Sequence, residues 1–114
     1  MLHRTIPSAT IVVLPERFDT SVAHGIEQEL IGIAGENTGD LLCDFSGTRY
    51  ISSAGLRVLF LIQKKMKARE ARLAGFGLCP YVREVFEISG FYRVIPLYPT
   101  ESDAVSDTGR LSGA

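Results

Sequence analysis

The side chains best suited to chemistry lie between residues 41 and 56. There an apolar run (Leu41, Leu42, Cys43 and Phe45, with Asp44 inside it) gives way to the polar loop Ser46-Gly47-Thr48-Arg49-Tyr50 and then to Ile51-Ser52-Ser53-Ala54-Gly55-Leu56. Two serines therefore stand where a helix begins. First-turn amides of a helix lack intrahelical acceptors and sit at the positive end of its dipole, so an anion is stabilised there. That makes Ser53, with Ser52 as second choice, chemically suited to reversible phosphorylation. Serine is also a preferred N-cap, its oxygen accepting from one of the same amides. Residue type and spacing leave both readings open.

Little else in the sequence suggests catalysis. His3 and His24 are isolated, and no Ser-His-Asp order, metal-ligand spacing or glycine-rich phosphate loop occurs. Gly75-Phe76-Gly77 reads as a strand exit rather than a nucleotide fingerprint. No enzymatic activity, metal or cofactor is expected.

A chain of 114 residues makes one domain, and a domain of that size buries roughly two thirds of its unfolded surface, enough for a core without metal or disulfide staples. Hydrophobic residues at 46% and charged residues at 22% lie in the ordinary globular range. The net charge of -1 shows no global basic excess of the kind that marks nucleic-acid binders. Lys64, Lys65, Lys67, Arg69 and Arg72 do form a local basic run. It reads as a solvated helix end favoured by the dipole, or alternatively as a site for an acidic partner. The longest apolar stretch, residues 58–62, is far short of the roughly twenty needed to span a bilayer, so a cytoplasmic protein without membrane insertion is expected. Cys43, in an apolar strand, and Cys79, just before a proline, are both expected as buried thiols.

Periodicity supplies the elements that must position the serines. Residues 2–6 read as a short edge strand and residues 9–14, dense in β-branched side chains, as a buried strand ended by Pro15. Asp19 or Thr20 can cap a helix carrying Val22, Ile26, Leu30 and Ile33, which residues 35–39 close. Residues 41–45 form a central strand, and the next helix runs from about residue 53 to residue 68. Arg57, Leu61 and Lys64 share one face of it, which makes Leu61 either a partner contact or the margin of the core. Residues 72–76 read as a third core strand. A helix follows with Pro80 in its first turn and Val82, Val85, Phe86 and Ser89 at helical spacing, and Gly90 ends it. Residues 93–98 form a final strand, at an edge because of Pro96. From Pro99 onward the sequence is small and polar, a loose or partly docked tail. Strands alternating with helices imply an α/β sheet with parallel crossovers.

From about residue 9 to residue 98 the chain resembles the STAS domain, the fold of bacterial anti-sigma factor antagonists and of the cytoplasmic tails of sulfate transporters. Phe18-Asp19 resemble the family's strand-end turn. Asp44-Phe45-Ser46-Gly47 through Ser53-Ala54-Gly55-Leu56 resemble its phosphorylation loop, and residues 80–91 its last helix and exit turn. The resemblance implies a mixed four- to five-stranded sheet with helices mainly on one face, in a single domain of residues 1–98 followed by a polar tail of residues 99–114.

It also implies a role. The serine opening the helix after the second core strand, Ser53 here, is phosphorylated in the family by a kinase that doubles as an anti-sigma factor. Asp19 and Asp44 match family acids near the switch loop; a cap and a strand-end turn are their structural alternatives. Three positions depart from the pattern: Ser52 where an aspartate is usual, Ala54 where a serine is frequent, and Glu16 in place of a glycine. The resemblance thus points to an anti-sigma factor antagonist that releases a sigma factor and so regulates transcription. Thr48, Arg49, Ser52, Ser53, Ala54, Arg57 and Leu61 would meet an anti-sigma factor serine/threonine kinase, and a phosphatase would act on the phosphoserine. An assembly scaffold in a larger signalling or transport complex, never phosphorylated, is the alternative that Ser52 favours. A small-ligand module would need a pocket of convergent polar groups, for which the sequence supplies no set.

Overall fold

The computed structural model describes residues 1–108. Its strands are β1 (His3–Ile6), β2 (Ala9–Val13), β3 (Arg17–Phe18), β4 (Asp40–Asp44), β5 (Tyr50–Ile51), β6 (Leu73–Phe76) and β7 (Leu97–Tyr98). Its helices are α1 (Thr20–Glu36), α2 (Ser53–Ala68), α3 (Pro80–Ser89) and α4 (Glu101–Ser106). The main sheet has the order β1-β2-β4-β6-β7. β1 pairs antiparallel with β2, and every other neighbour is parallel. The fold is mixed α/β, with one sheet of five strands as its frame. No described helix is long and apolar enough to cross a membrane.

Strand alternation divides the core in two. Val12, Leu14, Leu41, Cys43 and Leu73 face one side, where α1, α2 and α3 deliver Leu30, Leu59, Ile62 and Phe86. The intervening residues Ala9, Ile11, Leu42, Ala74 and Phe76 face the other side, where α4 places Ala104. Three helices on one face and a single short one on the other match the layering that the resemblance implies. The segment read as a loose or partly docked tail therefore contributes a helix whose Ala104 is fully buried. Residues 109–114 of that tail lie outside the described residues.

Several element readings change. α1 turns Ala23, Ile26, Leu30 and Ile33 inward and leaves Val22 exposed, because the buried stripe is narrow and its first position, three residues before Ile26, is filled by Ala23. Residues 93–98 do not form one strand. A 3-10 turn (Phe91–Arg93) follows Gly90, and only Leu97–Tyr98 pairs with β6. Pro96 has no amide to donate, yet its carbonyl accepts from Gly75 N at 2.9 Å. Cys79 is half-buried rather than buried, standing at the N-cap of α3. Cys43 is fully buried, which, with the charge of Asp44 next to it, pushes its thiol pKa up to about 12.

The basic run also separates. Lys64, Lys65 and Lys67 are exposed, but Arg69 reaches across and donates to the carbonyls of Ala34 and Gly39, tying the end of α2 to the end of α1. Arg72 is buried just before β6. Its Nε donates to Asp40 Oδ2 at 3.2 Å, one Nη to the Tyr98 hydroxyl at 2.7 Å and the other to the Asp107 carbonyl at 2.8 Å. Tyr98 in turn donates to Asp107 Oδ2 at 2.5 Å. One guanidinium thus joins β4, β7 and the end of α4.

Gln63, in the middle of α2, is buried as well. Its Oε1 accepts from Leu73 N at 2.7 Å, and its Nε2 donates to Leu73 O at 2.8 Å and to Val94 O at 2.9 Å. Further along β6, Gly75 N and Gly77 N donate to Pro96 O and Tyr98 O in the chain of β7. Leu73 is the preceding residue in that alternation, so the Gln63 amide occupies the rung where β7 has not yet begun.

Candidate phosphoacceptor site

The loop between β4 and α2 is positioned by a second, two-stranded sheet, in which β3 and β5 run parallel with Phe18 opposite Ile51 and Arg17 opposite Tyr50. Arg49 N and Tyr50 N both donate to Glu16 O, and Ser52 N donates to Phe18 O at 3.0 Å. Phe18 and Ile51 are buried. The N-termini of α1 and α2, which follow directly on β3 and β5, are therefore held side by side through backbone bonds.

Gly55 shows how close this contact is. A Cβ at that position would lie 2.7 Å from Phe18 O and 3.0 Å from Ile51 Cγ1. A helix ordinarily gains about 1 kcal/mol when alanine replaces glycine, but overpacking against an immobile backbone oxygen costs roughly 1–3 kcal/mol. Gly55→Ala is therefore expected to lower stability by up to about 2 kcal/mol in urea unfolding; a variant more stable than the parent would show that β3 yields freely.

The two serines have different tasks. Ser52 is the N-cap: its backbone is extended, its Oγ accepts from Gly55 N at 3.3 Å, and its hydroxyl lies 3.5 Å from Phe18 O. It is half-buried. Ser53 is the first helical residue and is exposed. Leu56 N donates to Ser52 O, so the amides of Ser53 and Ala54 are the first-turn donors left without an acceptor among the described residues. The first turn holds no acid, and Arg57, four residues on from Ser53, is exposed with Arg49 nearby in the chain. A dianion at Ser53 would meet the unspent first-turn amides, with no acid in that turn of its own helix.

Asp19 and Asp44 each commit one oxygen to a backbone amide two residues on. Asp19 Oδ1 accepts from Ser21 N at 3.0 Å and from Ser21 Oγ at 2.6 Å, capping α1. The Ser21 hydroxyl first, with the Ser21 amide and Arg17 beyond it, outweighs a small desolvation and holds the Asp19 carboxyl below the usual range. Asp44 Oδ1 accepts from Ser46 N at 2.8 Å and shapes the exit of β4.

Of the residues expected on a partner surface, Arg49, Ser53 and Arg57 are exposed, while Ser52, Ala54 and Leu61 are half-buried. Thr48 is not on the surface. It is fully buried, its hydroxyl donating to Pro15 O at 2.9 Å, because the loop folds inward over the end of β2. Sequence reasoning also missed a stack beside the site: the Arg17 guanidinium lies 4.5 Å from the Tyr50 ring centre, and Tyr50 lies against Tyr81 of α3 with centroids 6.3 Å apart. Its members come from three elements far apart in sequence, so no local periodicity signals it.

The same arrangement of sheet, loop and helices occurs in known proteins. A family model described as the STAS domain matches residues 2–104. The chain belongs to the STAS domain family. BtrV of Bordetella bronchiseptica, named as a candidate anti-sigma factor antagonist, is 36% identical over 92 residues, covering 81% of this chain and 79% of that protein. Among solved structures, an anti-sigma factor antagonist from Mycobacterium paratuberculosis superposes with a TM-score of 0.84 at 24% identity, over 92% of this chain and 89% of that one. The Bacillus protein SpoIIAA in its phosphorylated form gives a TM-score of 0.68 at 16% identity, over 92% and 96% of the two chains. SpoIIAA in its unphosphorylated form gives 0.77 at 17% identity, over 91% of each. At these identities the solved structures establish the STAS fold of this chain alone.

Proposed function

We propose that this STAS domain is an anti-sigma factor antagonist of the cytoplasm, controlled by phosphorylation of Ser53. The observation that carries the reading is the division of labour between the serines: Ser52 supplies the helix cap, which leaves the exposed Ser53 hydroxyl beside unspent amides. Phosphorylating Ser52 would break the cap, whereas a phosphate on Ser53 would complete an anion site. The similarity to BtrV, named for antagonism of an anti-sigma factor, supports the partner class. SpoIIAA, which shares the fold, has been solved in a phosphorylated form.

In this reading the unphosphorylated chain binds an anti-sigma factor serine/threonine kinase through Arg49, Ser53, Ala54 and Arg57, and the sigma factor is released. The kinase transfers the γ-phosphoryl of ATP to Ser53 Oγ, displacing ADP as the hydroxyl gives up its proton. The product carries roughly -1.5 to -2 additional charges at pH 7. Since a helix N-terminus stabilises such an anion, control is by repulsion and desolvation at the interface rather than by unfolding. About 2.7 kcal/mol suffices for a hundredfold loss of affinity. A phosphoserine phosphatase returns the chain to its binding form.

The test is intact mass after incubation with ATP and the serine kinases of the host, followed by binding measurements. One phosphate should be gained by the parent and by Ser52→Ala, and none by Ser53→Ala. The phosphorylated parent should bind its kinase about a hundredfold more weakly, and Ser53→Asp should be weakened in the same direction. If no host kinase modifies the parent and Ser53→Asp binds as the parent does, phosphocontrol is wrong here. The unphosphorylated scaffold, which Ser52 in the usual aspartate position favours, then replaces it.

A further inference from the structure

The outer face of α2 bears an apolar strip framed by cations. The charged side chains of this helix are Arg57, Lys64, Lys65 and Lys67, and it contains no aspartate or glutamate. Arg57, Phe60, Leu61 and Lys64 fall at spacings of three and four and so share a face. Phe60 is 37% exposed. Its ring lies 6.1 Å from that of Phe91, tilted by 53°, and Lys64 Nζ lies 5.8 Å from its centroid. Leu61 is half-buried next to it. Neither Arg57 nor Lys64 forms a salt bridge with any described residue.

We infer that this face receives an acidic amphipathic segment of a partner protein, with one apolar edge on Phe60, Leu61 and Phe91 and carboxylates against Arg57 and Lys64. Charge complementarity selects the occupant, because a helix with cations and no acids discriminates against a basic or neutral segment. Phe60 lies against Phe91 instead of projecting as an anchor, and the four cations of the helix reach only the lower end of the roughly 4–8 clustered lysines and arginines that mark anionic membranes. A protein segment therefore fits the face better than a lipid surface does. Ser53 stands four residues before Arg57 on the same helix. A phosphate there would draw Arg57 towards itself and repel the arriving carboxylates. The inference deepens the proposed function and rests on it only for assigning the segment to the partner that meets Ser53.

Two peptides of about 16 residues test it, both with leucines along one helical edge, one flanked by glutamate and the other by lysine. Titrated into the isotope-labelled full chain, the acidic peptide should move the amide signals of residues 57–64 and of Phe91, and the basic one should move none. Lys64→Glu and, separately, Phe60→Ser should weaken the acidic peptide about tenfold while leaving the remaining signals in place. Added salt should weaken it as well, since the face is exposed. Equal binding of both peptides, shifts confined to other surfaces, or variants that bind as the parent does would overturn the inference. So would binding of phosphatidylglycerol vesicles at these residues in place of the peptide. The two proposals fail separately. If Lys64→Glu weakens binding to the kinase while Ser53→Asp does not, phosphocontrol falls and the surface stands; the opposite pattern removes the surface alone.

Discussion

Replacing Arg72 with methionine should lower the stability of this domain by about 3 kcal/mol, near the lower end of what breaking a buried ion pair costs. The expectation comes from the number of elements that one guanidinium serves: Asp40 in β4, Tyr98 in β7 and Asp107 after α4. Burial works against its charge, and the bonds to Tyr98 and Asp40 more than compensate, raising its pKa above the ordinary value. Methionine matches much of the stem but bonds to none of these partners. Lysine should not rescue, since one ammonium cannot reproduce a planar fork engaged in three directions. In thermal unfolding the Tm should fall by on the order of 10–20 °C, with hydrogen exchange in α4 rising first. A loss under about 1 kcal/mol would mean that α4 is held by apolar contacts with Ala104 and Val105 instead.

Gln63→Leu is expected to cost about 3 kcal/mol or more, although it exchanges one buried side chain for another of similar size. It leaves Leu73 N–H without the Gln63 acceptor and removes the donor to Leu73 O and Val94 O. Each buried polar group stranded in this way costs about 1–3 kcal/mol. By contrast Ile62→Val, one residue away in the same core, should cost only about 0.5–1.5 kcal/mol. Urea unfolding of the two variants together makes the comparison. If Gln63→Leu proves the milder, water or a shifted β7 must satisfy Leu73, and the glutamine is not the missing rung.

The contrast between these residues and the rest of the chain marks what the sequence could show. Ile26, Leu30 and Ile33 are legible because spacing alone puts them on one face, and all three are buried. Pro80 and Gly90 bound α3 because one has no amide to leave orphaned and the other adopts φ 80°, a left-handed conformation few residues tolerate. Spacing places Ser52 and Ser53 at the start of α2, but which of them caps depends on the approach of Phe18 from another strand. Thr48 looks like a loop surface residue because nothing local indicates that Pro15 waits for its hydroxyl. Arg72 reads as part of a basic run with its neighbours, and only the packing of β7 and α4 gives it partners. β3 and β5 span two residues each, too short to carry any period.

A sheet edge is also a hazard, since a row of unspent peptide groups offers itself to any passing strand. With Gln63 completing β6, the last strand could remain two residues long, Leu97 and Tyr98, between Pro96 and Pro99. Neither proline can donate to a neighbour, and the stretch between them falls well short of the roughly six residues that a steric zipper stacks. The glutamine that closes the sheet from within thereby spares this rim from serving as a template for amyloid-type growth.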